Sequence, residues 1–140
     1  MFWGRATRPA GTRRDVKARI EQHVQETEQQ IERLQAAFAA IGEKAKAEKC
    51  EAAIGLREEH DSFKSEEKPS KPILEAFDLG SGLRVEHYEI AAYRSAIAVA
   101  SVLGEQQCVE ILRQSLAEEE AMATFLETNA ATVLQRLQAV

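Results

Sequence analysis

Proline is almost absent from this chain, with three residues in 140, and aromatics make up only 6%. Scarce proline leaves long stretches free to stay helical, and a composition rich in Ala, Glu, Gln, Leu and Arg favours helix. The apolar–polar alternation of a half-buried strand appears nowhere, so the expected fold class is all-α. No repeat suggests a solenoid. No apolar run approaches the ~18–20 residues that span a bilayer, which argues against a membrane role. The two cysteines, Cys50 and Cys108, stand far apart in no zinc or redox spacing. They read as buried thiols in a reducing cytoplasm. Basic charge does not dominate either, and a net charge of −5 argues against nucleic acid as a partner. The opening MFWGRATRPAGTRR lacks both acid and the apolar stretch of a secretory signal. Residues 1–12 read as a disordered basic arm, and 13–138 as one helical domain.

What is present is amphipathic helix. Val16, Ile20, His23, Thr27, Ile31, Leu34, Phe38 and Ile41 recur at three and four, which predicts a first helix over about 13–41 with Gly42 as its stop. Gln29, Glu32 and Arg33 fall on its water side. A shorter helix is expected over about 47–63, with Cys50, Ile54 and Phe63 as apolar points. The run KSEEKPSKP, 64–72, reads as an internal linker. A third helix should run from Pro72 to just before Gly104, with Gly80 and Gly82 marking a kink or break. Its seam is Leu83, Glu86, Ile90, Tyr93 and Ile97. A fourth should span about 105–137, with Leu112, Leu116, Glu119, Ala123, Leu126, Ala130, Val133 and Leu137 as its seam. Three long helices and a short one make a bundle of near-antiparallel members. Three long stripes do not obviously close one core, so a fourth long helix is a candidate contribution from a second copy.

Each long helix carries acid or histidine in or beside its apolar seam. His23 and Glu26 are three apart on the first; Glu86 and Glu89 share that spacing on the third; Glu119 sits in the seam of the fourth. A carboxylate in an apolar seam is costly unless it is paired or holds a cation. Inward carboxylates from several helices, joined by a histidine, are how a bundle core holds two metal ions. Such oxygen and nitrogen donors suit iron or manganese. Tyr93, seven after Glu86, would be a redox or hydrogen-bonding neighbour. The plainer alternative is a set of buried ion pairs with Arg84, Arg94 or Arg113, although those arginines fall off the seam. Glu118 and Glu120 read as solvated, His60 as exposed, and His87 as a surface or supporting residue.

The runs RVEHYEIAAY (84–93) and HVQETEQQIERL (23–34) resemble the ferritin-like YciE/YciF family, as do GEKAKAEKCEA (42–52) and LAEEEA (116–121). The resemblance covers about residues 12–137. It implies a ferritin-like four-helix bundle that is cytoplasmic, bacterial, often a homodimer and linked to stress responses. It also implies a di-iron or di-manganese carboxylate centre with ferroxidase or peroxide chemistry. Carried over by position, the metal-ligand candidates are His23, Glu26, Glu86, Glu89 and Glu119. The family's pattern is not complete here. Ferritin-like bundles begin with a helix that supplies a glutamate, and an acid-free segment stands in its place, so the first helix is expected to be missing or replaced. Met122 stands where many di-iron proteins put a histidine. Two function readings follow: a di-metal protein binding two ions of iron or manganese, or a non-catalytic helical stress or interaction protein with a degenerate metal site. A truncated family member is a third expectation.

Overall fold

The computed structural model describes residues 12–139, so the expected arm lies almost wholly outside the described residues. The described residues form helices joined by short turns and by one longer non-helical stretch, 41–50, with no strand among them. The second helix therefore starts later than the expected 47. The chain is an all-α helical bundle.

Helix α1, Arg13–Ala40, starts where Thr12 accepts from the Asp15 backbone N–H and Asp15 reaches back to the Thr12 backbone, a reciprocal capping box. It ends in a Schellman motif. Gly42 (φ 77°) donates to Ala39 O, and Glu43 donates to Phe38 O. Helix α2, Glu51–Ser62, runs on through a π-helical turn, Phe63–Glu67, to left-handed Lys68. The expected linker is therefore half helical, and only residues 68–70 break the chain. Helix α3, Lys71–Val102, is continuous: Gly80 and Gly82 do not interrupt it. A Cβ on Gly82 would lie 3.5 Å from Leu126, so this position sets a close approach to the next long helix rather than a kink. A second Schellman motif at Gly104 closes α3, and α4, Gln106–Thr128, follows at once. The expected fourth helix then breaks at buried Asn129. The short α5, Ala130–Leu134, and a 3₁₀ turn, Gln135–Ala139, finish the chain.

Side-chain pairings fix the arrangement. Arg13 meets Glu75, His23 meets Glu86 and Tyr93 meets Gln30, so α1 and α3 run parallel. Arg33 meets Glu118 and Arg94 meets Glu120, while Arg13 reaches the Val133 carbonyl, so α4 runs antiparallel to both and lies between them. Three corners of a four-helix square are thus occupied. Helix α2 turns back along the first half of α3, pairing Cys50 with Tyr88, Glu59 with Arg84 and His60 with Asp78, and stacking Phe63 on Phe77.

The seams of α3 and α4 are buried or half-buried as read from the sequence. That of α1 is not. Val16, His23, Gln30 and Ala37 point inward at intervals of seven, with Arg19, Glu26, Arg33 and Ala40 beside them. Ile20, Val24, Ile31, Leu34, Phe38 and Ile41 are exposed and line the fourth corner. Three further expectations fail. Arg33 does not face water, since it forks onto Glu118 at 2.6 and 2.7 Å. Glu118 is therefore held rather than solvated. Cys50 is exposed and Cys108 half-buried, so neither is a core thiol.

Candidate metal centre

The parallel register of α1 and α3 brings His23 and Glu86 to one level, and α4 places Glu119 against both. His23 Nε2 lies 3.3 Å from Glu86 Oε2 and 3.7 Å from Glu119 Oε2. All three side chains are buried, Glu119 completely. One ligand atom from each falls within 4.8 Å of the others, the convergence a single cation requires. Glu86 Oε2 and Glu119 Oε2 are buried and make no well-formed hydrogen bond, with His23 Nε2 as their shared cationic neighbour. Two inward carboxyl groups so weakly hydrogen-bonded are costly in a core, so a cation among these atoms fits the site.

The other expected ligands hold different positions. Glu26 Oε2 lies 2.9 Å from His23 Nδ1, the nitrogen that faces away from Glu86, and Arg19 lies 3.2 Å from the same oxygen. Glu89 is half-buried one turn beyond Glu86, and its charge bears on Glu119. Met122 is buried beside the cluster and lines the same groove as His23 and Glu86. His87 is exposed near Glu127, and half-buried His60 pairs with Asp78 and Asp61. Sequence reasoning missed Gln30 and Arg19. Gln30, only 3% exposed, donates to Glu119 and Glu118 and accepts from the Tyr93 hydroxyl at 2.9 Å. Its signal was available, since it stands seven residues after His23 and so shares its face.

Protonation follows from burial and crowding. Burial works against a charged His23, but hydrogen bonds to Glu86 and Glu26 outweigh it and push the imidazole up to about 9. Burial pushes Glu119 up to about 9 as well, reinforced by the carboxylates of Glu86 and Glu89. For Glu86 burial raises the value, but the ion pair with His23 and the neighbouring Glu119 acid prevail and hold it below the ordinary carboxylate range. At neutral pH the metal-free cluster is an imidazolium, a carboxylate and a neutral acid. A cation must displace the protons of His23 Nε2 and Glu119 to enter.

A family model described as "Domain of unknown function (DUF892)" matches residues 5–139. Protein YciF of Escherichia coli K12 is 37% identical over 101 residues, 71% of this chain. That stretch spans only 60% of the relative. The solved structure of YcfI from Rhodopseudomonas palustris, described as a candidate structural protein, superposes with a TM-score of 0.78 at 39% identity. The superposition covers 84% of this chain and 74% of that one. No helix among the described residues is long and apolar enough to cross a membrane. By fold, family model and sequence likeness, the chain belongs to the DUF892 family and is YciF-like.

Proposed function

We propose that this chain is a ferritin-like metal-carboxylate protein whose centre takes iron or manganese at His23, Glu86 and Glu119. The observation that carries the reading is the convergence of two buried carboxyl oxygens, neither in a well-formed hydrogen bond, with an imidazole nitrogen. His23 Nε2 would be a ligand, with its other ring N–H held on Glu26. Glu86 and Glu119 would supply oxygen ligands, and Gln30 fixes the second Glu119 oxygen. Glu89, whose carboxylate bears on Glu119, would be the candidate for a second ion. A bound redox metal would supply a one-electron couple toward oxygen or peroxide, the chemistry of a ferroxidase-like stress protein. The chain's own part is to hold the donor set, exclude water from it, and keep a proton on Glu119 until a cation arrives.

A second reading has its own support. Without metal the imidazolium of His23 sits between Glu26 and Glu86, so the cluster compensates its own charge and could serve only to hold the helices. That suits a non-catalytic helical protein. Elemental analysis after iron or manganese loading and desalting separates the two. Retained metal that is lost in Glu86→Ala and Glu119→Ala, at unchanged helicity, supports the metal protein. A chain that retains no metal at neutral pH is the structural protein.

A further inference from the structure

Of the five expected metal ligands, His23, Glu86 and Glu119 converge, and Glu26 and Glu89 stand apart from them. Glu26 differs most. Its Oε2 meets His23 Nδ1 at 2.9 Å and the Arg19 guanidinium at 3.2 Å, and its Oε1 accepts from Gln22 at 3.1 Å. All three partners stand earlier on α1, so both carboxylate oxygens are bonded back along their own helix. Arg19 is fixed in turn. Its side chain is only 17% exposed, and its guanidinium carbon lies 5.9 Å from the centre of the Phe125 ring on α4. The guanidinium is thus a permanent cation held beside the cluster, and its charge reaches Glu86 as well.

What lies opposite gives that arginine its consequence. Parallel α1 and α3 set His23 against Glu86 and Gln30 against Tyr93, so Glu26 and Glu89 share the level between these pairs. A second ion one turn from the first would draw on those two carboxylates. Arg19 already neutralises Glu26, and its charge repels a further cation there. The other donors nearby do not replace Glu26. Glu118 is forked onto Arg33, and Gln30 spends its amide on Glu118, Glu119 and Tyr93. Met122, buried three residues after Glu119, offers a soft thioether that suits neither iron nor manganese. Glu89 alone is too small a donor set to draw an ion out of water. We propose that Arg19 takes the place of the second cation of a di-metal centre, so that the chain binds a single ion. The inference rests on the metal reading, in which His23, Glu86 and Glu119 hold that ion. Arg19 acts through Glu26, as a positioning residue that sets how many ions enter.

The test loads the whole chain with Mn(II), desalts it, counts the ions by elemental analysis and reads their coupling by electron paramagnetic resonance. The wild-type chain should retain one ion and show the hyperfine spectrum of isolated Mn(II) up to saturation. Arg19→Met keeps an apolar stem against Phe125 and removes the charge. It should free Glu26, raise the count to two and broaden the spectrum through coupling of adjacent ions. Arg19→Lys keeps the charge and should stay at one. Circular dichroism checks folding, and Arg19→Gln is the second neutral variant if Arg19→Met does not fold. Two coupled ions in the wild-type chain overturn the proposal and leave the metal reading standing. So does a folded neutral variant that stays at one isolated ion or loses it, and so does Arg19→Lys with two. A wild-type chain that retains no ion removes the metal reading, and this inference with it.

Discussion

His23 Nδ1 and Glu26 Oε2 lie 2.9 Å apart, three residues along one helix, with Arg19 on the far side of the same carboxylate. This pair fixes the imidazole so that its other nitrogen faces Glu86 and Glu119. Glu26 is thereby placed to act through His23, in the carboxylate–histidine arrangement that orients a metal ligand and raises its basicity.

Glu26→Gln should therefore weaken metal binding by about 10–100-fold, the usual cost of losing such a partner, and leave helicity intact. Glu86→Ala, which removes a proposed ligand, should cost more. Parallel manganese or cobalt titrations of the two variants check this. Equal losses would mean that Glu26 binds the ion itself.

The metal-free protein should lose stability as pH rises. The folded His23 value of about 9 lies above its ordinary value of 6.5. Its contribution is complete below 6.5 and is lost as pH climbs to 9. The Glu119 acid is raised from 4.5 to about 9, so the native state holds a proton that the unfolded chain has released. Its effect has the same sign and begins above 4.5. Melting temperatures by circular dichroism should fall from pH 6 to pH 9, and the fall should be shallower in Glu119→Gln. A flat or rising profile would contradict the assigned protonation states.

Metal uptake should release protons. Binding at neutral pH must displace the protons on His23 Nε2 and Glu119, so up to about two should appear per ion. Calorimetry in buffers of different ionisation enthalpy counts them, and apparent affinity should rise steeply between pH 6 and 9. Release near zero would place the ion away from these two residues.

Much of this was legible in the chain. The seams of α3 and α4 came directly from three-and-four spacing, because their apolar residues do face the interior. Glu86 and Glu119 stood out as acids inside those seams, and His23 as the polar member of the first. The spacing misled on α1, where, Val16 apart, the apolar residues of the expected seam are not the buried ones. Ile20, Val24, Ile31, Leu34 and Phe38 face the open corner, and the inner face is built from Arg19, His23, Glu26, Gln30 and Arg33 bonded to one another and to α4. Periodicity reports an apolar face but not which neighbour covers it. That blind spot also hid Gln30 and sent Arg33 to the solvent. Glu118 looked solvated because a run of three acids wraps most of a turn. Its partner lay 85 residues away on α1.

The Gln30–Tyr93–Glu119 chain yields the last prediction. Gln30 accepts from Tyr93 and donates to Glu119, so it ties all three long helices at one point. Gln30→Leu keeps the volume roughly but strands a buried carboxyl and a phenol, at a cost of about 2–4 kcal/mol. Tyr93→Phe removes one neutral bond from a half-buried residue and should cost about 1 kcal/mol. In the double variant the phenol no longer needs its partner. The two losses should then sum to less than expected, with a coupling of about 0.5–1.5 kcal/mol from urea denaturation. Strict additivity would show that Tyr93 finds another acceptor. Ser115, fully buried on α4 and within hydrogen-bond reach of Tyr93 as well as of the Arg33 guanidinium, offers one. Ser115→Ala in the Gln30→Leu background would then lower stability further, whereas in the wild-type background it should change it by less than about 1 kcal/mol.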